Sequence, residues 1–165
     1  MAIKTMEDLF IHELSDIYSA EKQLTKALPR LARAATNPEL VAAFETHLEE
    51  TLGQVERIDK VVEVLGIKLK RIKCAAMEGL VEEGKEVIEE VQEGPVRDAA
   101  LIGGAQKVEH YEIASYGTIA ALAKQLGYKD ALPLLLETLA EEKATDEKLT
   151  LIAKASAPSG AAKAA

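Results

Sequence analysis

Residues 66–94 read GIKLKRIKCAAMEGLVEEGKEVIEEVQEG, and the length of this segment decides how the rest of the chain can be arranged. It opens on Gly66, a helix stop, and closes on Gly94-Pro95, a pair that ends one element and begins another. Between them Ala76, Leu80, Val87, Ile88 and Val91 recur at helical spacing, which predicts a helix over about 74–92. The run EEGKEVIEE at 82–90 is its solvated face. Neighbouring antiparallel helices need only a short turn between them, so this segment must cross the molecule.

Upstream, Thr5 caps a first helix, with Asp8 reaching back in a capping box, and the helix runs to about Ala35. Asn37 and Pro38 cap and open the second, which Gly66 stops. Downstream, Pro95 begins a third long helix that Gly127 ends, and a fourth opens at Asp130, holds Pro133 in its first turn and fades near Ser156. The sequence APSGAAKAA, 157–165, reads as a disordered tail outside a bundle of residues 1–156. No stretch shows strand alternation, so the chain is all-α. Two long hairpins joined by a long crossover make the ferritin-like form of the four-helix bundle, with an additional helix in the crossover.

Composition narrows the function classes. The 165 residues suffice for one domain with a sizeable core, and 48% apolar content excludes a disordered chain. A net charge of −8 argues against nucleic-acid or anionic-membrane partners. No apolar run approaches the roughly 20 residues that span a bilayer. MAIKTMEDLF lacks the apolar stretch of a signal peptide, and Cys74 has no internal partner for a disulfide. These features describe an acidic cytoplasmic protein.

Side chains three, four and seven apart share a helix face, and several inward faces carry acids. Glu21 falls at the centre of the first helix's stripe of Phe10, Leu14, Ile17 and Leu24. His47 and Gln54 lie within the second stripe and Glu50 at its margin, while His12 and Asp16 of the first helix point to solvent. In QKVEHYEIASYG, 106–117, Glu109, Glu112 and Tyr116 share the apolar face and His110 stands a quarter turn away. On the last helix Glu142 and Asp146 join Leu135, Leu139, Leu149 and Ala153, with Glu141 outside. Counted from the two hairpin turns, Glu21, Glu50, Glu112 and Glu142 are each about 15 residues away, or roughly 20 Å.

Like-charged groups buried together need a compensating charge, or they take up protons. Divalent metals held by carboxylate and imidazole are a well-attested compensation in bundle cores. A hydrogen-bonded polar core with Arg57, Tyr18, Tyr116 and water is the alternative.

LSDIYSAEKQL (14–24), HLEETLGQVERID (47–59), QKVEHYEIASYGTIAALAKQLG (106–127) and LAEEKATDEKL (139–149) closely resemble the YciF-like bacterial stress proteins, a ferritin-like family related in fold to rubrerythrins. The resemblance covers nearly all of the chain outside its tail. It implies a homodimer and a role in stress. Against di-iron relatives, Glu21, Glu50 and Glu142 match single glutamate ligands, and Glu109 with Glu112 resembles the paired acids of rubrerythrins. Gly53 and Thr145 stand where those relatives carry histidines, leaving His47 as the second helix's imidazole. The expected ligand set is therefore Glu21, His47, Glu50, Glu109, Glu112, Glu142 and Asp146, around di-iron, manganese or another divalent ion. A bundle acting through self-association or protein binding, without a functional metal, is the other reading.

Overall fold

The computed structural model describes residues 2–156, so the 157–165 tail lies outside the described residues. Among those residues the chain forms α1 (Met6–Ala34), α2 (Pro38–Leu65), α3 (Ala75–Glu90), α4 (Pro95–Leu126) and α5 (Leu132–Ser156), with no strand. The Thr5 hydroxyl accepts from the Asp8 amide and the Asp8 carboxylate accepts from the Thr5 amide, the capping box expected for α1. Gly66 and Gly127 end α2 and α4 with φ of 62° and 74°, a left-handed conformation that only glycine adopts without strain. At each end the next amide reaches back over the glycine, Ile67 to the Val62 carbonyl and Tyr128 to that of Ala123.

α1 pairs with α2, and α4 with α5. α1 also packs on α4, and α2 on α5, which closes a four-helix square. Cross-links fix the directions. Asp98, at the start of α4, holds the α1–α2 turn at Thr36, whereas Phe10, near the start of α1, meets Tyr128 beyond the end of α4 at 5.2 Å. α1 and α4 are thus antiparallel, and the two hairpin turns lie at opposite ends of the bundle. The crossover must return from the foot of α2 to the head of α4, so its length follows from the topology.

Its path is set by α1. The Ser15 hydroxyl accepts from the Lys70 amide and the Ser19 hydroxyl from the Cys74 amide, both at 2.9 Å, while Gln23 donates to the Cys74 carbonyl at 3.0 Å. One polar row at i, i+4 and i+8 thereby pairs an extended segment that has no sheet to join. α3 then lies over α1 and α4. Leu80, Val87 and Ile88 pack half-buried against the core as expected, whereas Ala76 is exposed and Met77 is the one buried side chain of α3 among the described residues. On α5, likewise, Ile152 is buried and Ala153 exposed.

Asp16 is not solvated as expected. It accepts from the Tyr111 hydroxyl at 2.5 Å, and that oxygen lies 3.0 Å from the Cys74 sulfur. The sequence shows Asp16 facing away from its own helix's core, but not that the crossover covers that face.

Asp98, 6% exposed, accepts from the Thr36 amide at 2.8 Å, the Thr36 hydroxyl at 2.6 Å and the Asn37 amide at 2.9 Å. Replacing Asp98 by Ala leaves these donors unpaired and is expected to cost about 2–4 kcal/mol. Chemical denaturation checks this; a variant as stable as the parent would mean that water replaces the carboxylate.

Candidate metal centre

At mid-bundle, α2 contributes His47, α4 contributes Glu109 and Glu112 one turn apart, and α5 contributes Glu142. One ligand atom from each lies within 4.8 Å of all the others. None of the four is more than 3% exposed. Glu21 of α1, fully buried, stands beside them and accepts from the Tyr116 hydroxyl.

Apart from the Tyr116 hydroxyl on Glu21 and the contacts of the acids with one another, these groups lack partners. Nine buried side-chain polar atoms have no hydrogen bond among the described residues: both oxygens of Glu112 and Glu142, both nitrogens of His47, one oxygen each of Glu21 and Glu109, and Gln54 Oε1. Eight of the nine therefore belong to this group and Glu21. Buried polar atoms are ordinarily satisfied, so such a concentration marks a place built for something further. His47 Nε2 lies 3.3 Å from Glu109 Oε1 without forming a hydrogen bond. Burial also holds His47 below its usual range, though Glu142 opposes this, so the pair is not an ion pair.

Electrostatics point the same way. Burial, and then the charge of Glu142, pushes Glu21 up to about 8. Burial pushes Glu109 up to about 12, with Glu142 again contributing, and raises Glu112 well above the carboxylate range. Without a cation, these acids are held protonated.

The donor set fits a divalent ion. Bonds of about 2.0–2.2 Å to oxygen or nitrogen put opposed donors roughly 4.0–4.4 Å apart, so a 4.8 Å cluster needs only slight closure. Three hard carboxylates with one imidazole suit iron or manganese.

Two other sequence candidates lie outside the four-ligand group. Glu50 turns toward α5, is half-buried and accepts from the Thr145 hydroxyl at 3.2 Å. Burial raises its pKa, with the Thr145 hydrogen bond opposing and Glu141 and Glu142 adding to the rise, so it borders the cluster. Asp146 faces the outer edge of α4, 3.2 Å from His110 Nε2 and 3.3 Å from Gln106 Nε2. Four residues advance a helix by 400°, so Asp146 sits about 40° off the direction of Glu142. The His110 side chain is 70% exposed and points away from the centre.

Arg57 does not serve the inner acids either. It forks onto Glu141, 2.9 Å from Oε2 and 2.8 Å from Oε1, and also reaches Glu137 and Thr138. Burial alone would raise Glu141, but hydrogen bonds from Arg57 and Gln54 outweigh it and hold this acid below its ordinary value. Glu141 is thus a paired, ionised neighbour of an unpaired set. Helical phase put it on the outside of α5 and could not show that Arg57 would arch over it.

Two antiparallel hairpins, a helical crossover and a core of carboxylates with one imidazole define a ferritin-like bundle protein. The chain belongs to the YciF-like family, and its residues 5–162 match the family model described as "Domain of unknown function (DUF892)". Protein YciF of Escherichia coli strain K12 is 67% identical over 154 residues, 93% of either chain. The crystal structure of the E. coli stress protein YciF superposes with a TM-score of 0.92 at 64% identity, covering 95% of this chain and 99% of that one. YcfI from Rhodopseudomonas palustris superposes at 0.87 and 49% identity, over 90% of this chain and 94% of its own.

The raised acids set the pH response of the metal-free protein. Unfolded Glu21 releases its proton near 4.5 and folded Glu21 near 8, so between these values the unfolded chain binds fewer protons and stability falls as pH rises. Glu109 and Glu112 extend the loss to higher pH. Glu50 acts in the same sense, and His47 alone in the cluster acts in the opposite sense, below 6.5. Thermal melts of chelated protein are expected to show a falling melting temperature across this window, and Glu112→Gln to hold or raise it at the alkaline end. A flat profile, or a strongly destabilised Glu112→Gln, would mean that the acids are paired structural groups.

Proposed function

We propose that this protein is a stress-associated metal-binding bundle in which His47, Glu109, Glu112 and Glu142 hold a divalent ion, iron or manganese. Glu21, with Glu50 at the margin, provides for a second ion beside the first. The observation that carries this reading is the set of eight buried polar atoms on five side chains that find no partner outside their own group, four of those side chains bringing a ligand atom within 4.8 Å of one another. Charge supports it as well. Glu21, Glu109, Glu112 and Glu142 carry four negative charges when ionised, and two divalent ions carry four positive ones.

Bound iron or manganese would supply redox capacity toward oxygen or peroxide. The chain's own part is positional. Tyr116 donates to Glu21 and fixes its rotamer, and Thr145 does so for Glu50. Arg57 and Gln54 tie Glu141 down and keep that acid from the centre. The family context supports a stress role, since the E. coli relative is described as a stress protein. The Rhodopseudomonas relative is provisionally called a structural protein. That favours a second reading, a bundle whose core acids stay protonated and whose role lies in its surface.

Metal analysis separates the two. Protein purified without chelator and reconstituted with ferrous iron or manganese is expected to hold at least one ion per chain. Glu109→Ala and His47→Ala are expected to weaken binding at least about tenfold, since each removes a ligand rather than a supporting group. His110→Gln is expected to leave occupancy nearly intact. Occupancy far below one ion per chain with both metals would overturn the metal reading, and equal losses from His110→Gln and Glu109→Ala would overturn the ligand assignment.

A further inference from the structure

Between α1, α3 and α4 lies a cavity of about 280 Å³ that no residue of the four-ligand group lines. Its roof is the inner face of α3, with Leu80, Val81 and Val87, and its floor includes Leu101, Gly103 and Gly104 of α4. A second void, about 20 Å³ and large enough for one water-sized molecule, sits in the core against His47 and Glu109. Leu24, Leu31, Ala105 and Val108 line both voids. Only these four side chains, all apolar, are shared by the outer cavity and the chamber at the ligands.

Two glycines of α4, Gly103 and Gly104, help to keep the outer cavity open. A Cβ at Gly103 or Gly104 would meet nothing within 4 Å, so no neighbour requires the missing side chain. Each glycine nonetheless weakens the middle of a helix relative to alanine. What the chain gains is open space beside Ala105. Gly84 of α3 differs, since its Cβ would touch Leu31 Cδ2 at 3.6 Å. At the rim Lys107 and Glu83 pair at 3.0 Å, a mutually neutralised couple that offers no net charge to an ion.

We infer that the groove beneath α3 is the entry for a small, uncharged, apolar molecule of the size and class of dioxygen, passing between Leu24, Leu31, Ala105 and Val108 to the His47–Glu109 side of the centre. The use of this entry rests on the reading of that centre as a metal site. A hydrated cation or a peroxide would shed hydrogen bonds along the apolar wall without replacement, and a diatomic apolar molecule sheds none. The 20 Å³ chamber also excludes longer apolar chains, which the outer cavity alone would accept.

Dioxygen itself is the probe. In the metal-free full chain under oxygen pressure, its paramagnetism shortens the NMR relaxation times of methyl protons it approaches. Leu24 and Val108, and also Leu28 and Leu149, which line only the inner void, are expected to relax several-fold faster than the buried Leu14 and Ile17, which line neither. Gly104→Leu, which fills the cavity, is expected to bring Leu24 and Val108 down to the level of Leu14, and the milder Gly104→Ala to lower them in part. Enhancement at Leu28 and Leu149 no greater than at Leu14, even with Leu24 and Val108 enhanced, or enhancement unchanged in both variants, would overturn the entry. Metal affinity is measured alongside. Failure of the parent protein to bind metal, with the relaxation pattern as expected, strikes the metal reading and leaves the route supported.

Discussion

Four carboxyl groups, Glu21, Glu109, Glu112 and Glu142, are held at one level of a helical bundle with almost no water around them. Each would be costly alone, and each raises the cost of the others. Much of the surrounding structure is arranged about this constraint. Tyr116 gives Glu21 one donor, and the neighbouring Glu141 is satisfied separately by Arg57 and Gln54. The inner acids are left with each other and with His47. Burial holds Glu21, Glu109 and Glu112 toward their protonated forms, which is how the chain by itself lowers the cost.

The crossover serves the same end from outside. By lying along α1 and α4, α3 covers the two helices that contribute Glu21, Glu109 and Glu112, and keeps solvent from their outer flank. Its attachment is polar and local, through Ser15, Ser19 and Gln23. Its cover is apolar but incomplete, and the groove over Gly104 is the result.

The fold was legible in the sequence because its signals are local: caps at Thr5 and Asn37, stops at Gly66 and Gly127, and a segment too long to be a turn. The inward phase of Glu21, Glu109, Glu112 and Glu142 was legible for the same reason, since 100° per residue accumulates little error over one or two turns. What the sequence could not resolve depends on distances between helices. Glu50 and His47 are one turn apart on α2, and only the approach of α4 decides that His47 meets Glu109 while Glu50 leans to Thr145. Asp146 shares the apolar stripe of Glu142 by phase, yet His110 and Gln106 of α4 lie at its side. On α3 the phase of Leu80, Val87 and Ile88 was legible, but the burial of Met77 beside Cys74 was not, since Cys74 meets Tyr111, 37 positions away in sequence.

The opposed placement of the two hairpin turns has an electrostatic consequence. Every pair of adjacent helices in the square runs antiparallel, so the backbone dipoles oppose one another in pairs. The acids sit near the middle of helices of 25 to 32 residues, several turns from any end, where a terminal partial charge no longer reaches. Helix ends often cradle anions, but here the backbone gives the carboxylates no field to lean on. As far as the backbone is concerned the centre is an electrically quiet place, and its charge balance is set by the side chains alone.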